Sequence, residues 1–199
     1  MSKVVSYLFH PIFMPLFGIV IILNSGTYIS ILDESIIRAL YLIVGTFTVI
    51  VPLGLLPIFY FTSIIKNIEL SDKRQRLLPY LFTFISFYIA NILVKKLPVS
   101  SFISAYLFAS CMTVLVILII SGFWKISTHM TGIGGLIGLI LSLSYLLKTD
   151  LMYYLMAAIL LSGFIAASRI KLKEHNLAQI YVGFFVGILV VSTICVFYS

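Results

Sequence analysis

Residues 97–122 read LPVSSFISAYLFASCMTVLVILIISG and contain no charged side chain. A helix rises about 1.5 Å per residue, so about 20 apolar residues cross the roughly 30 Å hydrocarbon core of a bilayer. Backbone amides in hydrocarbon must be satisfied within the protein, and this stretch is too long and unbroken for the alternating strands of a barrel. The segment therefore predicts a transmembrane helix.

Six further apolar segments flank this one. They lie at about 4–24, 39–65, 77–94, 128–147, 151–168 and 177–198. The second is longer than a crossing needs and carries Pro52 and Pro57, which predicts one tilted or kinked helix rather than two crossings. The expected fold is all-α, a polytopic transmembrane bundle of about seven spans, with residues 1–199 forming a single integral membrane domain.

Composition excludes an ordinary soluble domain, because 62% of the residues are hydrophobic and the mean hydropathy is +1.20. The net charge of +7 is spread over short loops between spans. Anionic lipid or a phosphorylated substrate is therefore the expected partner, and nucleic acid is not. The apolar run after Lys3 lacks a small-residue cleavage site, which predicts a retained first span that acts as an anchor. The sequence does not indicate an oligomeric state.

Since each crossing switches sides, seven spans sort the loops into two groups. The N-terminus and the loops at 66–76, 123–127 and 169–176 share one side. The other side holds only four of the thirteen basic residues, Arg38, Lys95, Lys96 and Lys148. Under the positive-inside rule the first side is cytoplasmic, and the expected location is the cell (inner) membrane. Cations that bind substrate do not count as topological markers, so the side that a site would face stays open.

Three short segments on the basic side hold nearly all of the side chains that can do chemistry. They read DKRQRLLP at 72–79, STHMTG at 127–132 and SRIKLKEH at 168–175. Arginine and lysine bind phosphoryl oxygens, and histidine titrates near neutrality. These groups gather at helix mouths, at the level of the lipid headgroups, so this end of the bundle is the candidate site for chemistry.

The third segment resembles the type 2 phosphatidic acid phosphatase superfamily, whose third motif reads Ser-Arg-x5-His-x3-Asp. Ser168, Arg169 and His175 reproduce its spacing, and Gln179 stands where the family has aspartate. The resemblance covers about residues 66–187 and implies a six-helix phosphatase core, here with one additional span.

The other two segments resemble that family's remaining motifs, Lys-x6-Arg-Pro and Pro-Ser-Gly-His. Ser127 and His129 keep the Ser-x-His core of the second motif, without its proline and glycine. Lys73 and Arg76 match the first motif approximately. An even number of crossings separates each pair of segments, so all three share one side of the membrane.

The resemblance implies hydrolysis of a lipid phosphomonoester or diphosphate. His175 would be the nucleophile that forms a phosphohistidine, and His129 would be the general acid that protonates the leaving oxygen. The implied phosphate-binding set is Lys73, Arg76, Ser127, Ser168 and Arg169. Phosphatidate, phosphatidylglycerol phosphate, a polyprenyl diphosphate and a lipid A phosphate are all open as substrates.

Gln179 lies four residues after His175, on the same helical face, so its carbonyl can accept a hydrogen bond from the imidazole and fix the tautomer. An amide cannot supply the negative charge with which an aspartate stabilises an imidazolium. Two interpretations therefore stay open. The protein is a working lipid phosphatase, or it is a catalytically inactive lipid-binding subunit or transporter that retains the fold.

No metal or other cofactor is expected, because the acidic residues Glu69, Asp72 and Glu174 do not approach the histidines in a ligand spacing. His10, which precedes Pro11 and matches no motif, is interpreted as an interfacial residue. Small-xxx-small patterns predict close packing of the fifth and seventh helices, or room for a headgroup near His129. They are formed by Gly132, Gly134, Gly135 and Gly138 with Gly183 and Gly187.

Overall fold

The computed structural model describes residues 6–62 and 74–198, and every regular element in these ranges is helical. Seven helices are long and apolar enough to cross a membrane. They are α1 (Ser6–Leu23), α2 (Glu34–Phe61), α3 (Leu77–Val94), α4 (Ser101–Ser121), α5 (Thr128–Leu147), α6 (Met152–Lys171) and α7 (Leu177–Tyr198). The predicted all-α bundle of seven spans is confirmed, and the protein is an integral membrane protein.

The outer surface of the bundle is apolar, as a lipid-facing surface must be. Large hydrophobic side chains such as Phe61, Phe164 and Leu189 are more than half exposed. Polar side chains inside the spans bond to their own helix, as Thr113 does to the Ala109 carbonyl oxygen at 2.8 Å. Such bonds satisfy these hydroxyl groups within the helix, as crossing hydrocarbon requires. Asn91 Oδ1 in α3 and Ser121 Oγ in α4 are exceptions, since both are buried without a hydrogen-bond partner among the described residues.

The α2 helix is one span with an irregular middle, as its prolines predicted. A π-helical stretch, Gly45–Ile50, precedes the α-helical turns at Val51–Phe61. Pro52 has no amide proton to give to a carbonyl in this stretch. The Ser86 hydroxyl of α3 donates instead to the carbonyl oxygen of Phe47. The kink is therefore stabilised by a neighbouring helix.

The α5 and α7 helices pack backbone to backbone through glycines. A Cβ atom on Gly138 would stand 2.7 Å from the Ile188 carbonyl oxygen, and one on Gly183 would stand 2.7 Å from that of Ser127. No real Cβ approaches a backbone oxygen so closely, so both positions require glycine. The predicted close packing of these two helices is confirmed, and it fixes the start of α5 against the start of α7.

The first span is interrupted near its N-terminal end. His10 has an extended backbone, and a 3-10 turn at Pro11–Phe13 leads into the α-helix Met14–Leu23. Gly132 of α5 faces this turn, since a Cβ there would lie 3.1 Å from the Cβ of Pro11. The break brings residues 6–10 against the N-terminal end of α5, so α1 does more than anchor the chain.

Candidate phosphate site

A cavity of about 650 Å³ opens at the end of the bundle where α3 and α5 begin and α6 ends. Its lining includes Arg76 from the first predicted segment, His129 from the second, and Arg169 and His175 from the third. The described parts of the three segments therefore meet around one space, which agrees with the prediction that they share one side of the membrane.

His175 and Gln179 make the hydrogen bond that their spacing predicted. The Nδ1 atom of His175 lies 2.9 Å from the Gln179 Oε1 atom. An amide oxygen only accepts, so Nδ1 carries the proton and Nε2 keeps its lone pair. The backbone amide of Asn176 also donates to this oxygen, at 3.3 Å, and the Asn176 side chain accepts from the Gln179 amide at 2.9 Å. The side chain and the backbone amide of Gln179 are thus both hydrogen-bonded to Asn176.

Burial lowers the pKa of His175 to about 4 from its ordinary value of 6.5. The Gln179 hydrogen bond opposes this shift, and the positive charges of Lys125, Arg169 and Arg76 reinforce it. Desolvation and nearby cations both disfavour an imidazolium. At neutral pH the ring is therefore uncharged, with a free lone pair on Nε2.

His129 is buried and is oriented by the first span. Its Nε2 atom donates to the Ser6 carbonyl oxygen at 3.1 Å, so a second proton on this ring would sit on Nδ1. The His10 ring packs edge-on against it, with centroids 5.3 Å apart. The α1 break thereby determines both the tautomer and the orientation of His129.

A carboxylate lies between two of the cations. Glu174 Oε2 is 3.7 Å from the Arg169 guanidinium and 3.8 Å from Lys125 Nζ. Arg169 also donates to the Ser6 hydroxyl at 3.3 Å. Burial, followed by the charge of Arg76, lowers the pKa of Lys125, and Glu174 opposes that shift. The cations exceed the carboxylate in number, so the cavity mouth attracts anions.

Arg76 is the most deeply buried cation of the site, with only 6% of its surface exposed. Its side chain interacts with Tyr80, one turn further along α3, and Tyr80 also interacts with Thr128 at the start of α5. A guanidinium so enclosed presents its fork of donors to the cavity in a fixed direction.

Three of the predicted phosphate-binding residues are not placed in the cavity. Ser127 and Ser168 are buried but do not line it. Ser127 packs against α7, where its amide donates to the Gln179 carbonyl oxygen at 3.3 Å, and its hydroxyl has no hydrogen-bond partner among the described residues. Lys73 lies outside the residues that the structure describes.

Ser6, His10, Tyr80 and Glu174 also line the cavity, and their sequence patterns did not predict this. His10 carried a usable signal, because an ionisable residue followed by proline interrupts an otherwise apolar span. Ser6 contributes mainly a backbone carbonyl, which no side-chain pattern reveals. Glu174 lies inside the third motif, where the sequence suggested only a possible metal ligand.

The donor set of the cavity suits an anion better than a metal ion. Within residues 6–62 and 74–198, no three histidine, cysteine or acidic side chains lie close enough to hold a metal. Phosphate oxygens match arginine and lysine donors directly. A reaction without a metal stays a prediction.

Comparisons with known proteins give no independent identification. No family model, no curated protein and no solved structure matches the chain.

Proposed function

We propose that the protein is a membrane-embedded lipid phosphatase that cleaves a phosphomonoester or diphosphate without a metal. One observation carries the proposal. Two buried histidines and two arginines from three separate segments line one cavity at the headgroup end of a transmembrane bundle. The resemblance of these segments to the phosphatidic acid phosphatase motifs supports the same chemistry.

In the first step, Arg76 and Arg169 hold the phosphoryl oxygens and stabilise the charge that develops on them. Nε2 of His175 attacks phosphorus, and the bond from phosphorus to the lipid oxygen breaks as the nitrogen–phosphorus bond forms. Protonated His129 donates to the departing oxygen. Gln179 keeps the nucleophilic nitrogen unprotonated by holding the proton on Nδ1.

In the second step, a water molecule replaces the lipid alcohol. Neutral His129 accepts a proton from the water, whose oxygen attacks phosphorus as the bond to Nε2 breaks. Inorganic phosphate leaves, and both histidines return to their starting states. Dividing the displacement into two steps lowers each barrier.

The test is phosphate release from several lipid phosphates by purified protein, with and without EDTA. We expect activity that survives EDTA and falls to background in His175→Ala. In Arg76→Ala the loss should reach about 10²-fold to 10³-fold, the usual cost of one oxyanion donor. Lys171→Ala, an exposed cation outside the cavity, is the matched control and should keep wild-type activity. Equal background release by wild type and His175→Ala would contradict the proposal.

A non-catalytic lipid-binding protein is the second candidate, and the neutral Gln179 favours it. Gln179 supplies no negative charge to stabilise an imidazolium on His175 during turnover, whereas Arg76 and Arg169 can still bind a headgroup. Under this alternative, lipid phosphates bind without phosphate release, and His175→Ala leaves their affinity unchanged.

We further propose that the chain resides in the cell (inner) membrane with the cavity mouth on the cytoplasmic side. The support is the charge distribution, since nine of the thirteen basic residues lie on the side of the site. Several of them line or flank the cavity, so the topology needs its own measurement.

A further inference from the structure

The cavity continues from its polar mouth deep into the membrane. Along α3 its lining runs from Arg76 to Phe87, and along α4 from Ile117 to Tyr106. Each stretch covers eleven residue steps, or about 16 Å at 1.5 Å per residue. The space therefore reaches about half way through a hydrocarbon core of roughly 30 Å.

The deep walls of the cavity present an apolar surface, although several of the side chains that line them carry hydroxyl groups. Each of these hydroxyls already donates to a backbone carbonyl oxygen at ordinary distance. The pairs are Thr83 to Pro79, Ser110 to Tyr106, Thr113 to Ala109 and Tyr106 to Met14, at 2.8, 3.0, 2.8 and 2.9 Å. With those donors engaged, the walls present mainly methyl, methylene and ring surfaces, joined by Leu53, Leu56 and Phe59 of α2. A polar ligand would lose its hydrogen bonds there, and a hydrocarbon chain would not.

The size of the cavity fits one chain. At about 30 Å³ for each water-sized group, 650 Å³ holds roughly 20 non-hydrogen atoms. A phosphate group accounts for about five of these atoms. Bonds of about 1.5 Å advance an extended chain by about 1.3 Å per carbon, so the 16 Å length takes about a dozen carbons. One chain with its phosphate accounts for about this number of atoms.

We propose that the cavity binds a single-chain lipid phosphate, with its phosphate at Arg76 and Arg169 and its chain enclosed between α2, α3 and α4. The phosphate end of this proposal rests on the proposed function. The substrate class is then a lipid with one acyl, alkyl or prenyl chain, and a diacyl lipid would have to leave its second chain outside the enclosed space.

Selectivity in this arrangement comes from shape and from the phosphate, because a chain leaving the bilayer for an apolar cavity gains little hydrophobic free energy. The binding test therefore compares a one-chain lipid phosphonate with a two-chain lipid phosphonate, with the chain alcohol and with the headgroup alone. Farnesyl phosphonate has one chain and a carbon–phosphorus bond that is not hydrolysed. A dioleoyl phosphonate adds the second chain, farnesol removes the anion, and methylphosphonate removes the chain.

Affinities are measured with protein in phosphatidylcholine nanodiscs. We expect farnesyl phosphonate to bind at least tenfold more tightly than dioleoyl phosphonate or farnesol. Val114→Phe, which fills the cavity from α4, should weaken farnesyl phosphonate at least tenfold and leave methylphosphonate unchanged. Ile119→Phe, on the exposed side of the same helix, is the matched control and should change neither affinity.

A measurement on the unaltered protein covers the case in which Val114→Phe does not fold. Farnesyl phosphonate with a diazirine at the end of its chain is photolysed in the nanodisc, and the labelled peptides are mapped. Labelling at Val114 and Ile117 supports an enclosed chain, and labelling confined to lipid-facing residues such as Ile119 overturns it.

The outcomes separate this inference from the proposed function. If the ligands bind in the expected pattern but farnesyl phosphate releases no phosphate, the proposed phosphatase activity is overturned. The enclosed site for one lipid chain is then still supported. Phosphate release that is equal for one-chain and two-chain substrates, and insensitive to Val114→Phe, would overturn the chain site and leave the phosphatase standing. Equal binding of farnesol and farnesyl phosphonate would show only a lipid-filled gap and would also overturn the inference.

Discussion

Gln179 gives His175 an orienting partner that carries no charge. The amide oxygen fixes the imidazole tautomer at 2.9 Å, but it cannot offset the three cations that surround the ring. An uncharged partner therefore keeps the ring neutral, which is the state that the proposed nucleophilic role requires. It also leaves an imidazolium or a phosphorylated ring without a nearby counter-charge.

A histidine titration tests this description directly. We expect the His175 signal to titrate near pH 4 in ¹³C NMR spectra of histidine-labelled protein, well below the ordinary 6.5. Gln179→Asp should move that titration upward, because a carboxylate favours the charged ring. The neutral form would then begin to disappear at a higher pH as acid is added.

The signal is assigned by its absence in His175→Ala. Lys171→Gln, an exposed charge change outside the cavity, should leave the titration in place. A wild-type midpoint near 6.5, or no displacement in Gln179→Asp, would contradict the electrostatic account.

Side chains that sequence spacing placed in the site fall into two kinds. The contact of His175 with Gln179 was predicted from their spacing, although His175 precedes α7. Asn176 and Gln179 exchange hydrogen bonds between backbone amide and side chain at the start of that helix, which turns the Gln179 side chain back toward His175. Ser127 and Ser168 were expected at the phosphate from their motif positions, yet both lie outside the cavity lining. Their orientation depends on how α5 and α6 are rotated against their neighbours, which a motif does not specify.

At the scale of elements, the contact of α5 with α7 determines where His129 and His175 meet. Gly187 lies where a Cβ would collide with the Thr131 carbonyl oxygen and crowd the amide of Gly135. We expect Gly187→Ala to force the helices apart and to destabilise the protein by about 1–3 kcal/mol, the usual cost of overpacking.

Thermal unfolding in detergent measures this effect. Gly163→Ala on α6, where an added Cβ has no neighbour within 4 Å, should unfold at the wild-type temperature. If the two variants unfolded alike, the helices would not depend on the missing side chain at position 187.

The interrupted α1 helix has a separate role, because it carries the groups that orient His129. His10→Ala should lower kcat by roughly two- to tenfold, since an edge-on ring contact is worth about 0.5–1.5 kcal/mol. His10→Phe keeps an aromatic edge and should recover most of the rate. Steady-state turnover of a lipid phosphate by both variants is the measurement.

A loss confined to KM, or an equal loss in His10→Phe, would contradict this positioning role.

The sequence predicted the α2 kink from its prolines, because proline acts locally. It did not predict the role of α1, because that role arises from a contact between residues more than a hundred positions apart.

For the molecule as a whole, the number of spans assigns each loop to a side. Maleimide labelling of intact cells should reveal that Lys148→Cys and Lys173→Cys lie on opposite sides, because one crossing separates them. The charge distribution predicts that Lys173→Cys is cytoplasmic and reacts only after permeabilisation.

Cys111 and Cys195 are buried and should contribute only a low background. Labelling of Lys173→Cys in intact cells would reverse the topology and open the site to the outer lipid pool.

The parity of the spans could be read from hydropathy alone. The depth of the cavity could not, because it depends on how the side chains of α2, α3 and α4 pack around one space.

The carboxylate of Glu174 acts as an internal counter-ion of the site, since it faces both Arg169 and Lys125. Any entering phosphate must exchange with it, so binding swaps one anion for another instead of neutralising bare cations. This exchange lowers the affinity of the site for the ligand. In the proposed reaction it also speeds the release of inorganic phosphate. Product inhibition should therefore be slight for as long as Glu174 can return.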